Sequence, residues 1–134
     1  MKNRCELLIV DDDISDEMLI RAAIKRLALE VEITTARTAE EGIQKSSQLS
    51  SGIVVLDHSL PGMDGYEACQ KMKANNDHLK IIICSGAVDS VGAAKAQAAG
   101  ADDYCLKTAD YKILMNAIQN LIPLKNPNKE IPLK

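Results

Sequence analysis

Three short apolar runs punctuate the chain: ELLIV at 6–10, IVVL at 53–56 and KIIIC at 80–84. Each is rich in Ile, Leu and Val and lacks polar alternation. A strand with one face in water alternates and a strand covered on both faces does not, so these runs predict the central strands of a parallel sheet. VEITTA (31–36) and DYCL (103–106) supply two weaker strands. Between them the period changes to a helical one. Ile20, Ile24 and Leu27 recur at helical spacing, with Ala23 and Ala28 beside them. Thr38-Ala-Glu-Glu41 is a capping box that opens a second helix, and Asp64-Gly-Tyr-Glu67 is its counterpart with Asp at the cap. The Ala-rich segment SVGAAKAQAA predicts a fourth helix that Gly100 ends. A fifth, from about Asp110 to Ile122, is expected to turn Ile113, Leu114, Ala117, Ile118 and Leu121 inward. Five β-α units in succession predict an α/β domain with helices on both faces of a parallel sheet.

A length of 134 residues fits one domain. After Ile122 the segment PLKNPNKEIPLK has three Pro and three Lys and no periodic apolar face. The domain is therefore expected over 1–122, with 123–134 as a tail or truncated linker. With three Tyr and no Phe or Trp, the core has to be aliphatic. The net charge of 16 − 19 = −3, without any basic run, argues against direct nucleic-acid binding. The apolar stretch before the first Asp is far shorter than a signal peptide or a membrane span requires, so a cytoplasmic location away from membranes is expected. Cys5, Cys69, Cys84 and Cys105 share no metal-ligand spacing and read as reduced, buried, small hydrophobes.

The chemistry lies at the strand ends. IVVL runs into Asp57, and LLIV runs into Asp11, Asp12 and Asp13. Parallel strands bring their carboxyl ends to one edge of the sheet, where open α/β sheets bind ligands. If the first and third strands are neighbours, Asp11, Asp12 and Asp57 converge there. Crowded carboxylates repel one another unless a cation intervenes, and a small set of hard oxygen ligands suits Mg2+ together with an incoming phosphate. The fourth strand ends on Ser85 and the fifth on Lys107, a hydroxyl and an ammonium on the same edge. Together they resemble a shell for phosphoryl oxygens. Taken singly, these residues also fit a helix start, an ST-turn and a solvated lysine. Five strand ends in register favour the site.

The segments LIVDDD, VVLDHSLPGMDGYE, IIICSGA and AGADDYCLK, in this order over about residues 5 to 122, resemble the response-regulator receiver domains of two-component signalling. The resemblance implies a flavodoxin-like (βα)5 three-layer sandwich with strand order 2-1-3-4-5. It makes Asp57 the phospho-acceptor and Asp12 the direct Mg2+ ligand, with Asp11 acting mainly through water and Ser59 offering its backbone carbonyl. Ser85 and Lys107 would hold the phosphoryl oxygens, and Tyr104 would follow Ser85 as the switch aromatic. The implied donor is a histidine kinase or a histidine phosphotransfer domain, and the implied readout is the face of the fourth helix, fifth strand and fifth helix. An unidentified output partner and a phosphorylation-dependent homodimer are both compatible with it. One position departs: where the family usually has Lys followed by a cis Pro, this chain has Lys107-Thr108. A cis bond before Thr would cost about 2.5–4 kcal/mol, so a trans bond is expected.

Two other readings use some of the same residues. A receiver-like adaptor would keep the fold without being phosphorylated. A haloacid-dehalogenase-like phosphatase would read DDDIS as D-x-D-x-S, with Asp11 as nucleophile and Asp13 as acid/base, but leaves the 57–65 loop unexplained. Because crowded carboxylates repel, Asp12→Asn or Asp57→Asn is expected to stabilise the metal-free fold. The few large side chains of the fourth helix predict that it is the most mobile helix.

Overall fold

The computed structural model describes residues 5–122. The expected tail at 123–134 lies outside them. The chain alternates β1 (Cys5–Val10), α1 (Ile14–Arg26), β2 (Val31–Ala36), α2 (Ala39–Ser46), β3 (Gly52–Asp57), α3 (Gly65–Asn75), β4 (Lys80–Ser85), α4 (Ser90–Ala98), β5 (Asp103–Leu106) and α5 (Lys112–Leu121). All strand pairs are parallel, in the order β2-β1-β3-β4-β5.

Successive residues of a strand point to opposite faces, and the unbroken apolar runs feed two cores. Leu7, Ile9, Ile53, Val55, Ile82 and Cys84 join Ile20 and Ile24 of α1 and Leu114 and Ile118 of α5. Leu8, Val10, Val54, Leu56, Ile81 and Ile83 join Ala68, Cys69 and Met72 of α3 and Ala96 of α4. Each fully buried Leu or Ile contributes about 1.5–3 kcal/mol. Aliphatic side chains thus carry the fold, as the shortage of aromatics requires.

Both capping predictions hold. Thr38 Oγ1 accepts from the Glu41 N–H at 3.1 Å, and Glu41 returns to accept from the Arg37 N–H at 2.8 Å. Asp64 accepts from the Glu67 N–H at 2.9 Å. Two helix ends differ from expectation. Helix α1 stops at Arg26; Leu27 is its C-terminal cap and is 43% exposed, and Ala28 takes a left-handed φ of 53°. Tyr111 is also left-handed, so α5 starts at Lys112 instead of near Asp110. Leu114, Met115, Ala117 and Ile118 are buried, while Ile113 lies 43% exposed.

Among the described residues no cis peptide bond occurs, so Lys107-Thr108 is trans as expected. No helix among them is long and apolar enough to cross a membrane. All four cysteines are free; Cys69, Cys84 and Cys105 are buried and Cys5 half-buried. Burial pushes the thiols up, to about 11 for Cys69 and about 12 for Cys105, which keeps them protonated and inert.

Candidate functional site

The strand register aligns the carboxyl ends. Val10 pairs with Leu56, Asp57 with Cys84, and Ser85 with Leu106. The ladder continues past the strands: the Asp11 N–H donates to Ala36 O, His58 N–H to Cys84 O and Lys107 N–H to Ser85 O. Asp11, Asp57, Ser85 and Lys107 are therefore placed by sheet hydrogen bonds more than by flexible loops. Gly65 lets α3 begin against this edge. A Cβ there would lie 2.7 Å from the Asp57 carbonyl oxygen and 2.9 Å from His58 Cα, both backbone atoms that cannot yield.

Carboxylate oxygens of Asp11, Asp12 and Asp57 lie within 4.8 Å of one another. Asp11 and Asp57 are buried and Asp12 is exposed. Such a group of oxygen donors fits a hard divalent cation such as Mg2+. Lys107 sits among the acids, its Nζ 3.0 Å from Asp57 Oδ1, 3.4 Å from Asp11 Oδ2 and 2.9 Å from Asp16 Oδ2. Burial pushes the Asp11 carboxyl up to about 6, with the Asp57 charge adding to the rise; the Asp13 N–H and the Lys107 charge oppose it. Burial alone would lower the Lys107 pKa, but its bonds to Asp16 and Asp57 outweigh this and raise it, so the ammonium stays charged.

The structure brings Asp11, Asp12, Asp57 and Lys107 together. Ser85 is at the same edge and buried, but its hydroxyl is turned to the next loop. It donates to Ala87 O at 2.7 Å and accepts from the Ala87 N–H at 3.2 Å. Ser59 is exposed, with its hydroxyl 3.2 Å from His58 Nδ1. Tyr104 reaches over the β4–α4 loop, where its hydroxyl donates to Ala87 O at 3.5 Å and accepts from Tyr66 at 3.4 Å. Gly92 makes room for it, since a Cβ at 92 would stand 2.1 Å from the Tyr104 hydroxyl. Asp13 is the N-cap of α1, its carboxylate taken up by the Ser15 N–H.

Two residues at the site escaped the sequence reading. Asp16, in the first turn of α1, bonds Lys107 and accepts at 3.0 Å from the Tyr111 hydroxyl, which comes from the start of α5. An acid in a first helical turn reads as a partner of the helix dipole, and Tyr111 as core. Only their meeting across the sheet edge shows another use.

A family model for the response regulator receiver domain matches residues 7–119. The chain belongs to the receiver domain family. The order of strands and helices is that of the family's flavodoxin-like fold, as the resemblance implied. Among related receivers, the chemotaxis protein CheY of Listeria monocytogenes is 30% identical over 114 residues, covering 85% of this chain and 95% of that protein. The transcriptional regulatory protein AfsQ1 of Streptomyces coelicolor is 30% identical over 108 residues, covering 81% of this chain and 47% of that protein. The chain spans about half the length of the first curated relatives it matches. In three dimensions it is similar to the response regulator TrrA of Thermotoga maritima, solved in complex with Mg2+ and BeF. The TM-score is 0.76 at 25% identity, covering 87% of this chain and 98% of TrrA.

Proposed function

We propose that this receiver accepts a phosphoryl group on Asp57 from the phosphohistidine of a histidine kinase or histidine phosphotransfer domain. One observation carries the reading: Asp57, the last residue of a buried central strand, lies within an acid cluster and 3.0 Å from the Lys107 ammonium. An Asp57 carboxylate oxygen attacks phosphorus, the P–N bond to the donor imidazole breaks, and the imidazole leaves with the bond's electron pair. Asp12, Asp57 and the Ser59 backbone carbonyl would hold Mg2+, with Asp11 binding through water. The ion supplies neutralisation of charge on the transferring group. Lys107 stabilises one phosphoryl oxygen. Ser85 releases Ala87 and turns its hydroxyl to another, and Tyr104 follows into the space it leaves. A Cβ at Gly86 would meet nothing within 4 Å, so the donor has a clear approach.

The β4–α4 loop, α4, β5 and α5 then form the face that changes. The boundary near Ile122, with 123–134 as tail or linker, fits a receiver that stands alone or is joined to an output domain, as the greater length of AfsQ1 illustrates.

The test is incubation with acetyl phosphate and Mg2+, followed by intact mass and peptide mapping. One phosphoryl group on Asp57 is expected, and no label when Mg2+ is chelated before the donor is added or when Asp57→Asn replaces the parent. A label on Asp11 would point to the phosphatase chemistry, and no label with or without Mg2+ to an adaptor.

A further inference from the structure

We infer that Asp16 and Tyr111 are positioning residues for Lys107, forming a relay from the start of α5 through α1 to the ammonium that faces Asp57. The inference rests on Lys107 acting at the phosphoryl group, as proposed above. A lysine is a point charge on a four-carbon stem and has no fixed direction of its own. Beyond Lys107 the chain continues through a trans bond into Thr108, whose hydroxyl donates to Asp110 and whose carbonyl accepts from the Tyr111 N–H. Of the three carboxylates that hold the ammonium, Asp16 makes the shortest contact, ahead of Asp57 at 3.0 Å and Asp11 at 3.4 Å. The two carboxylate oxygens of Asp16 are divided, Oδ2 accepting from Lys107 at 2.9 Å and Oδ1 from the Tyr111 hydroxyl at 3.0 Å.

Tyr111 is itself fixed. It is 3% exposed, packed in the α1–α5 core, and held at φ 53° and ψ 29°, a conformation rare for a bulky side chain. A buried phenol needs a partner for its hydroxyl, and Asp16 is that partner. The Asp16 carboxyl answers in kind. Burial would raise its pKa, but the bonds from Lys107 and Tyr111 prevail and hold it below the usual carboxylate value. The relay fixes where the ammonium sits between Asp16 and Asp57. When a phosphoryl group arrives, Lys107 needs only a small displacement to meet it.

The experiment compares the initial rate of acetyl phosphate labelling in the full chain with Asp16→Ala, Asp16→Asn, Tyr111→Phe, Lys107→Ala and the Asp16→Ala/Lys107→Ala double variant. Loss of a charge-assisted hydrogen bond predicts about tenfold slower labelling for Asp16→Ala. Asp16→Asn, which keeps an acceptor for the ammonium, recovers part of that loss, and Tyr111→Phe slows labelling less than Asp16→Ala does. In the Lys107→Ala background the Asp16 substitution has no further effect. Labelling by Asp16→Ala at or above the parent rate, or equal slowing with and without Lys107, overturns the inference. A second readout needs no phosphoryl donor. Acylation of Lys107 by an N-hydroxysuccinimide ester, followed by peptide mass, should be several-fold faster in Asp16→Ala than in the parent, with the other lysines unchanged. Unchanged reactivity of Lys107 overturns the relay even if the parent never labels. Absence of labelling in the parent alone removes the phospho-acceptor reading instead.

Discussion

Helices α1 and α4 leave the same edge of the sheet, one from the loop carrying Asp12 and the other from the loop after Ser85, and they are held by different means. Helix α1 buries Ile20, Ala23 and Ile24 and ties its half-polar side down through Glu17, which bonds Arg21 at 2.7 Å and also pairs with Arg37 of the β2–α2 turn. Helix α4 buries only Gly92 and Ala96. Two isoleucines bury several times the apolar area of two such small residues, and stability follows that area at about 25 cal/mol per Å2. The acid cluster thus borders a firmly anchored helix, while the Ser85 hydroxyl opens onto a lightly anchored one. A switch placed between them would move α4.

The difference in anchoring between α1 and α4 is largest in the core. Ile24→Ala should cost about 2–5 kcal/mol in urea denaturation, whereas Val91→Ala on α4, where Val91 is 63% exposed, should stay within about 0.5 kcal/mol. Next in size is native-state hydrogen exchange. Amides of α4 should open at least about 2 kcal/mol more easily than those of α1; equal protection would mean that small residues anchor α4 as well as isoleucines anchor α1. Gly92→Ala sharpens the point. Alanine favours a helix by about 1 kcal/mol over glycine, yet its Cβ would strike the Tyr104 hydroxyl. A net loss of about 1 kcal/mol is expected in the parent, turning to a gain of similar size in a Tyr104→Ala background.

The smallest expected effect concerns Asp11. Its folded-state pKa of about 6 stands above the ordinary 3.8, so between those values the folded chain binds more protons than the unfolded one. Metal-free stability therefore falls as pH rises through that window. Asp11→Asn, which keeps an acceptor for the Asp13 N–H, should flatten the fall and add about 1 kcal/mol at pH 7, allowing for solvent screening. Stability of the variant running parallel to the parent from pH 4 to 7 would count against burial as the cause.

Much of this was legible along the chain because it is local or periodic. Buried strands that run into Asp11 and Asp57, the caps at Thr38 and Asp64, and the alternation of periods each depend on a few neighbouring residues. The inner face of α5 was mostly legible: Leu114, Ala117 and Ile118 are buried and Leu121 packs on the core as expected, while Ile113 is exposed and Met115 is buried instead. Asp16 with Lys107 and Tyr111, more than ninety positions apart in the chain, required the fold itself. The resting bond of Ser85 to Ala87 is a rotamer choice that no spacing encodes.

The three tyrosines have a practical consequence. They are the only Phe, Trp or Tyr residues in the chain, and all stand around the reactive edge: Tyr66 and Tyr104 joined at their hydroxyls over the β4–α4 loop, and Tyr111 on Asp16. Near-ultraviolet light absorbed by the aromatic rings of this protein is therefore absorbed around the acid cluster and the β4–α4 loop. The unlabelled chain carries its own optical reporter: two of its three tyrosines, Tyr66 and Tyr104, lie over the β4–α4 loop, and tyrosine emission or near-ultraviolet circular dichroism will register a change there above the contribution of the buried Tyr111.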